Sequence, residues 1–180
     1  MTRHKNGRKS IRLPHRDYAA NGWYFVTICT KNRVCFFGDI VDGLVELSPI
    51  GKTAKQFWLE IPQHFQHTDI DVYVIMPNHI HGIVIIDNPN YQPCRDVACN
   101  VPTPSKISPK SGSLGAIIRS YKSAVTHWCG KNGHNDFAWQ SRFYEHIIRR
   151  DGSLENIRKY IVNNPLKWEE DKDNPVNIGN

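Results

Sequence analysis

A chain of 180 residues, 39% hydrophobic and 11% aromatic, is long enough for one domain with a real core. Lys and Arg outnumber Asp and Glu 23 to 17, a formal net charge of +6 that suits a polyanionic partner. The five cysteines (Cys29, Cys35, Cys94, Cys99 and Cys129) are odd in number and form no Cys-x-x-Cys pair, no apolar run reaches the roughly 18 to 20 residues of a membrane span, and the basic N-terminus has no apolar signal core. A disulfide framework, a zinc ribbon, secretion and membrane insertion are thus not indicated, and the expected location is the cytoplasm.

The first sixteen residues carry Arg3, Lys5, Arg8, Lys9, Arg12 and Arg16 with almost nothing apolar, which predicts a basic arm rather than packed structure. Residues 23–30 are aromatic and β-branched and read as a strand. The turn 31–33 and a second apolar piece ending at Phe36 and Phe37 suggest a hairpin. Ser48 and Pro49 open a helix in which Ile50, Ala54, Phe57, Trp58 and Ile61 recur at helical spacing until Pro62. Residues 71–76 and 79–86 are two strands joined tightly through Pro77 and Asn78. Residues 87–113, rich in Pro, Ser, Asn and Thr, predict a long flexible loop.

Leu114, Ile117, Ile118, Tyr121, Val125 and Trp128 then line one side of a helix that Ser113 can cap and Gly130 can end, packing beside the first helix. Residues 139–148 read as a last strand. Asp151 or Ser153 caps a final helix with Leu154, Ile157 and Ile161 on its buried stripe, and Pro165 closes it. The order strand, helix, strand, strand, helix, strand predicts an α+β, ferredoxin-like antiparallel sheet with helices on one face and one further C-terminal helix. Residues 17–168 form that single domain, with a polar tail at 169–180.

In a strand, alternate side chains share a face, so His79 and His81 point the same way and two imidazoles on a rigid strand can share one divalent ion. The alternative for a bare His-x-His is a pair of hydrogen-bonded histidines on a half-exposed sheet. On the last helix Tyr160 and Asn164 are four residues apart and reach the same place. If that place adjoins the histidines, the site holds two nitrogen ligands, an amide oxygen and a phenol, which is equipment for phosphoryl transfer with a covalent tyrosine ester. Tyr144 is the rival nucleophile, since alternation puts it on one strand face with His146.

The pair His79 and His81, the run Trp139-Gln140-Ser141-Arg142-Phe143-Tyr144-Glu145-His146, the run Tyr160-Ile161-Val162-Asn163-Asn164-Pro165, and the N-terminal Arg8-Lys9-Ser10-Ile11-Arg12-Leu13 and Tyr24-Phe25-Val26-Thr27-Ile28-Cys29-Thr30 together resemble the REP-associated tyrosine transposases, of the one-tyrosine HUH endonuclease class. The likeness covers all but the proline-rich loop and the acidic tail after Trp168. It implies cleavage of single-stranded or hairpin DNA through a 5′-phosphotyrosine intermediate with Mg²⁺ or Mn²⁺, by a monomer or homodimer. Tyr160 becomes the nucleophile, and His79, His81 and Asn164 become metal ligands. Asn164 is a shorter arm than the glutamine often found there. His146 stands behind the ligands as a candidate orienting group. The DNA-binding candidates are Arg8, Lys9, Arg12, Arg119, Lys122, Arg142, Arg149, Arg150, Arg158 and Lys159, with Lys167 beside them. Other readings are a non-catalytic hairpin-binding module of the same fold, and a metal-dependent hydrolase with water as nucleophile, which would need a further carboxylate or histidine nearby.

Overall fold

The computed structural model describes residues 20–91, 111–149 and 152–177. The basic arm, most of the 87–113 loop, Arg150 and Asp151 lie outside the described residues. Among the described residues, strands and α-helices follow in the order β1 (Gly22–Cys29), β2 (Gly38–Val41), β3 (Leu44–Leu47), α1 (Pro49–Leu59), α2 (Ile61–His64), β4 (Thr68–Ile75), β5 (His79–Ile86), α3 (Leu114–Lys131), β6 (Tyr144–Ile148) and α4 (Ser153–Asn163).

The main sheet has the order β4-β5-β1-β6, antiparallel throughout, with β5 and β1 at its centre. Central position explains why β5 reads as one apolar run, since helices cover both of its faces. On one face Tyr24, Val26, Ile28, Ile80 and Val84 pack against Ala54 and Trp58 of α1 and Ile117, Ile118, Tyr121 and Val125 of α3. On the other, Ile83 and Ile148 meet Ile161 of α4, with Phe25, Ile85, Leu154 and Ile157 around them. This is the ferredoxin-like α+β arrangement the pattern predicts, with α1 and α3 on one face and α4 on the other.

Local chemistry sets the boundaries. Ser48 Oγ accepts from Gly51 N at 3.0 Å and Ser113 Oγ from Ala116 N at 3.3 Å, so both expected N-caps form. The helices α1 and α3 lie side by side, pinned where Tyr121 Oη donates to Ala54 O at 2.9 Å. The β4–β5 connection is as tight as expected, with Met76 N donating to His79 O at 2.8 Å.

Several boundaries differ, among them the last strand, expected over 139–148, which spans only Tyr144–Ile148. Residues 34–37 do not form a hairpin with β1, because both edges of β1 are taken by β5 and β6. The hairpin lies one step on, between β2 and β3, where Asp42 and Gly43 both have positive φ (50° and 75°), the turn that an Asp-Gly pair favours. Gly130 stays inside α3, which ends at Lys131 with Asn132 as its C-cap ahead of Gly133 (φ 83°). The cap of α4 is Gly152 in the left-handed region, and Ser153 is already helical. Pro62 starts the short α2 rather than ending the path, since proline is tolerated in a first turn.

Candidate active site

The register of β1 against β5 sets Thr27 opposite His81 and Cys29 opposite His79, on the face that carries α4. Both histidines are buried (0% and 3% exposed) and their Nε2 atoms lie 3.0 Å apart. Each ring is held from behind. His79 Nδ1 is 2.9 Å from Asn78 Oδ1, and His81 Nδ1 is 2.9 Å from Thr27 Oγ1. The amide of Asn78 can point only one way, because its Nδ2 donates to Arg33 O at 2.9 Å and Asp173 O at 2.6 Å. Its Oδ1 therefore accepts, His79 Nδ1 carries the hydrogen, and the lone pair of neutral His79 sits on Nε2. Burial, helped by the Arg33 charge, pushes the His79 pKa down to about 3, and burial followed by the His79 charge drives His81 well below its ordinary value. Both rings are thus neutral, the form that binds metal.

The helix α4 brings its two expected residues to this point. Tyr160 Oη is 3.3 Å from His81 Nε2, and the two rings are 5.2 Å apart between centroids. Phe25 stacks on His81 at 5.4 Å and meets Tyr160 edge-on. Asn164, at the end of α4, is buried, acts on both His79 and Tyr160 through its side chain, and keeps a buried Oδ1 with no hydrogen-bond partner among the described residues. The Tyr160 phenol is pushed up by burial first and by Asp171 second, so it is protonated at neutral pH.

Asp171 was not read from the sequence as part of the site. Residues 165–177, assigned there largely to a polar tail, fold back over the histidines, with Asp173 and Asn174 buried and the Trp168 ring 6.1 Å from that of His79. Asp171 Oδ2 comes within 3.9 Å of His79 Nε2, and His79, His81 and Asp171 each offer a ligand atom within 4.8 Å of the others. An acidic stretch after a helix ordinarily reads as solvated; Trp168 and the prolines Pro165 and Pro175 were the available sign that this one packs.

The donor set fits a hard divalent ion. Ligands about 2.1 Å from an octahedral ion and at right angles stand about 3.0 Å apart, which is the Nε2 to Nε2 distance found. The Asp171 carboxylate lies with the two nitrogens, and the unpaired Asn164 Oδ1 is a further buried oxygen that could serve as a donor.

The remaining expected residues are spread out. Tyr144 pairs with Thr27 on the same face and is 50% exposed, and His146 is exposed opposite Phe25, farther along the edge strand β6. Arg142 and Tyr144 line a cleft of about 340 Å³ with His81, Tyr160, Arg33 and Lys172. Lys159 and Lys167 line a second cleft, of about 560 Å³, on the other side of Tyr160. Arg149 lies at the opposite end of the sheet, beside Gly22 and Leu154. Arg158 is engaged elsewhere: its Nη2 is 2.7 Å and its Nε 2.8 Å from Asp71 Oδ2 in β4. Arg119 and Lys122 belong to α3, behind the sheet, with Lys122 donating to Gln140 O. Among the described residues the candidate cations do not form a single cluster around Tyr160; helical and strand positions near in sequence are sent to different faces.

No family model matches the chain. The fold is shared with a solved structure described as a REP-associated tyrosine transposase bound to a REP hairpin, at a TM-score of 0.58 and 20% identity over 87% of this chain and 74% of that one. A Haemophilus influenzae protein named "Putative REP-associated tyrosine transposase" is 23% identical over 153 residues, 84% of this chain and 74% of its own. The resemblance to these transposases read from the motifs is thereby borne out. At 42% identity over 171 residues, 92% of each chain, a second Haemophilus influenzae protein, described as uncharacterized, is near enough that this chain belongs to its family.

Proposed function

We propose that this protein cuts single-stranded DNA beside a palindromic hairpin and passes the strand on, with Tyr160 as nucleophile and a divalent cation, Mg²⁺ or Mn²⁺, held by His79, His81 and the oxygens of Asn164 and Asp171. One observation carries the reading. The Tyr160 hydroxyl lies 3.3 Å from a histidine nitrogen that is itself 3.0 Å from its partner's, so nucleophile and ligand pair share one point.

Attack of Tyr160 Oη on phosphorus forms the Oη–P bond and breaks the P–O3′ bond. The electron pair leaves on the 3′ oxygen, which takes up a proton to become a 3′-hydroxyl, while the phenolic proton passes to solvent. One phosphodiester replaces another, so the bond remains available for rejoining to a different 3′-hydroxyl. When bound, the cation would supply positive charge that orients the phosphate oxygens and offsets the burial holding Tyr160 protonated. His81 would keep Tyr160 Oη next to the cation that its Nε2 binds, and Phe25 packs against both rings.

Tyr160 lies on the rim between the two clefts, one with Arg142 and Lys172, the other with Lys159 and Lys167. A single strand running from one to the other would present a phosphate to Tyr160 with cations on both sides. The hairpin bound in the structure of like fold supports assigning the paired stem to the cations of the two clefts and to the N-terminal Arg8, Lys9 and Arg12. Asp171 also supplies the carboxylate that a water-using hydrolase would need. Incubation with labelled REP-type hairpin oligonucleotides and Mn²⁺ separates the two: strand transfer gives a denaturation-resistant protein–DNA band at single-stranded sites, whereas cleavage with no such band would favour the hydrolase, and no cleavage at all a binding module.

A further inference from the structure

We propose that Arg33 binds the non-bridging oxygens of the phosphodiester that Tyr160 attacks. The inference rests on the phosphoryl-transfer reading above and adds a catalytic residue to it. Arg33 sits in the short 3-10 turn Lys31–Arg33 after β1, and both it and Asn32 hold left-handed backbone (φ 58° and 55°), a conformation that asparagine accepts but arginine rarely adopts. Backbone of this kind persists where the surroundings fix it and gathers at functional sites. Here the surroundings are the site itself, because Arg33 O accepts from the same Asn78 amide that orients His79.

The guanidinium lines the 340 Å³ cleft together with His81 and Tyr160. Its Nη2 pairs with Asp173 Oδ1 at 2.8 Å, and its Nη1 is buried with no hydrogen-bond acceptor among the described residues. A planar fork with five donors is thus only partly used, beside a nucleophile that must meet a phosphate. Lysines and arginines farther out neutralise the backbone in general; a partly satisfied guanidinium in this cleft suits the two equatorial oxygens on which charge gathers as phosphorus is attacked.

A purely structural role, anchoring the tail through Asp173, predicts a different pattern and is separable. Two oligonucleotide hairpins are compared, one with an ordinary phosphodiester at the cleaved position and one with a neutral methylphosphonate there. The wild-type protein should prefer the phosphodiester, and Arg33→Gln should cut it on the order of 10²-fold more slowly while nearly losing the preference. Asp173→Asn breaks the same ion pair but leaves the guanidinium, and should keep the preference. Circular dichroism and melting of each variant show whether it folds. Should Arg33→Gln be misfolded, Arg33→Lys replaces it, with a weakened preference expected. An unchanged ratio in a folded Arg33 variant, or equal loss in Asp173→Asn, overturns the proposal. Absence of cleavage in the wild-type protein would instead overturn the reading of the site on which it rests.

Discussion

His79 Nε2 and His81 Nε2 face each other 3.0 Å apart, with each ring's other nitrogen tied to a neighbouring oxygen, Asn78 Oδ1 and Thr27 Oγ1. Two nitrogen lone pairs at that distance repel unless a proton or a cation lies between them. The outer oxygens fix the rings so that the cation's place is prepared by the fold. Thr27→Val, which removes the oxygen but keeps the shape, should weaken Mn²⁺ binding ~10- to 100-fold, while Thr27→Ser should restore most of it. Titration of Mn²⁺ by electron paramagnetic resonance in the presence of hairpin DNA reads this directly, and equal affinity for Thr27→Val would remove Thr27 from the site.

Acid should loosen the fold through the same pair. The ordinary histidine pKa is about 6.5, and in the folded protein that of His79 is pushed down to about 3. Above pH 6.5 both folded and unfolded chains hold it neutral, so its contribution to stability is fully present. Between pH 6.5 and about 3 the unfolded chain takes up a proton that the folded one refuses, and stability falls by ~1.4 kcal/mol per pH unit for this group. Denaturant midpoints measured without metal at pH 7.5, 6 and 5 should decline, and more gently for His79→Gln. Identical slopes for the two proteins would contradict a buried neutral His79.

Gly82 makes the two faces of the sheet compatible. A Cβ there would collide with the indole of Trp58, which is fully buried between β5 and α1 and has no room to withdraw. Gly82→Ala should cost ~1–3 kcal/mol by overpacking, seen as a lower denaturant midpoint. A midpoint equal to that of the wild-type protein would show that the indole can shift.

Arg158 should behave as a brace, not as a DNA contact. It ties α4, the carrier of Tyr160, to Asp71 at the irregular point of β4. Arg158→Gln and Asp71→Asn should therefore slow cleavage alike, the double variant no more than either, with the salt dependence of hairpin binding unchanged. A slope reduced by about one in Arg158→Gln alone would return this arginine to the phosphate backbone.

The parts legible in the sequence are those set by local periodicity and spacing. Alternation gives the common face of His79 and His81, the four-residue step gives Tyr160 and Asn164, and the caps Ser48 and Ser113 announce their helices. What escaped depends on register and on long-range closure. Thr27 lies opposite His81 only through the pairing of β1 with β5, fifty-four residues apart, and no local pattern fixes that pairing. Arg33 and Asp171 come to the histidines through a turn and a returning tail, neither of which has a period. The cations are not gathered at one point for the converse reason: Arg119, Arg149 and Arg158 are near in sequence, and the sheet separates them.

The central claim is that Tyr160 forms the covalent bond to DNA, and the covalent adduct tests it most directly. Purified wild-type protein, Tyr160→Phe and Tyr144→Phe are each incubated with end-labelled single-stranded hairpin DNA and Mn²⁺, denatured and separated. The adduct should form with the wild-type protein and with Tyr144→Phe, vanish with Tyr160→Phe while hairpin binding persists, and map by peptide mass to Tyr160. An adduct of undiminished yield with Tyr160→Phe would contradict the account.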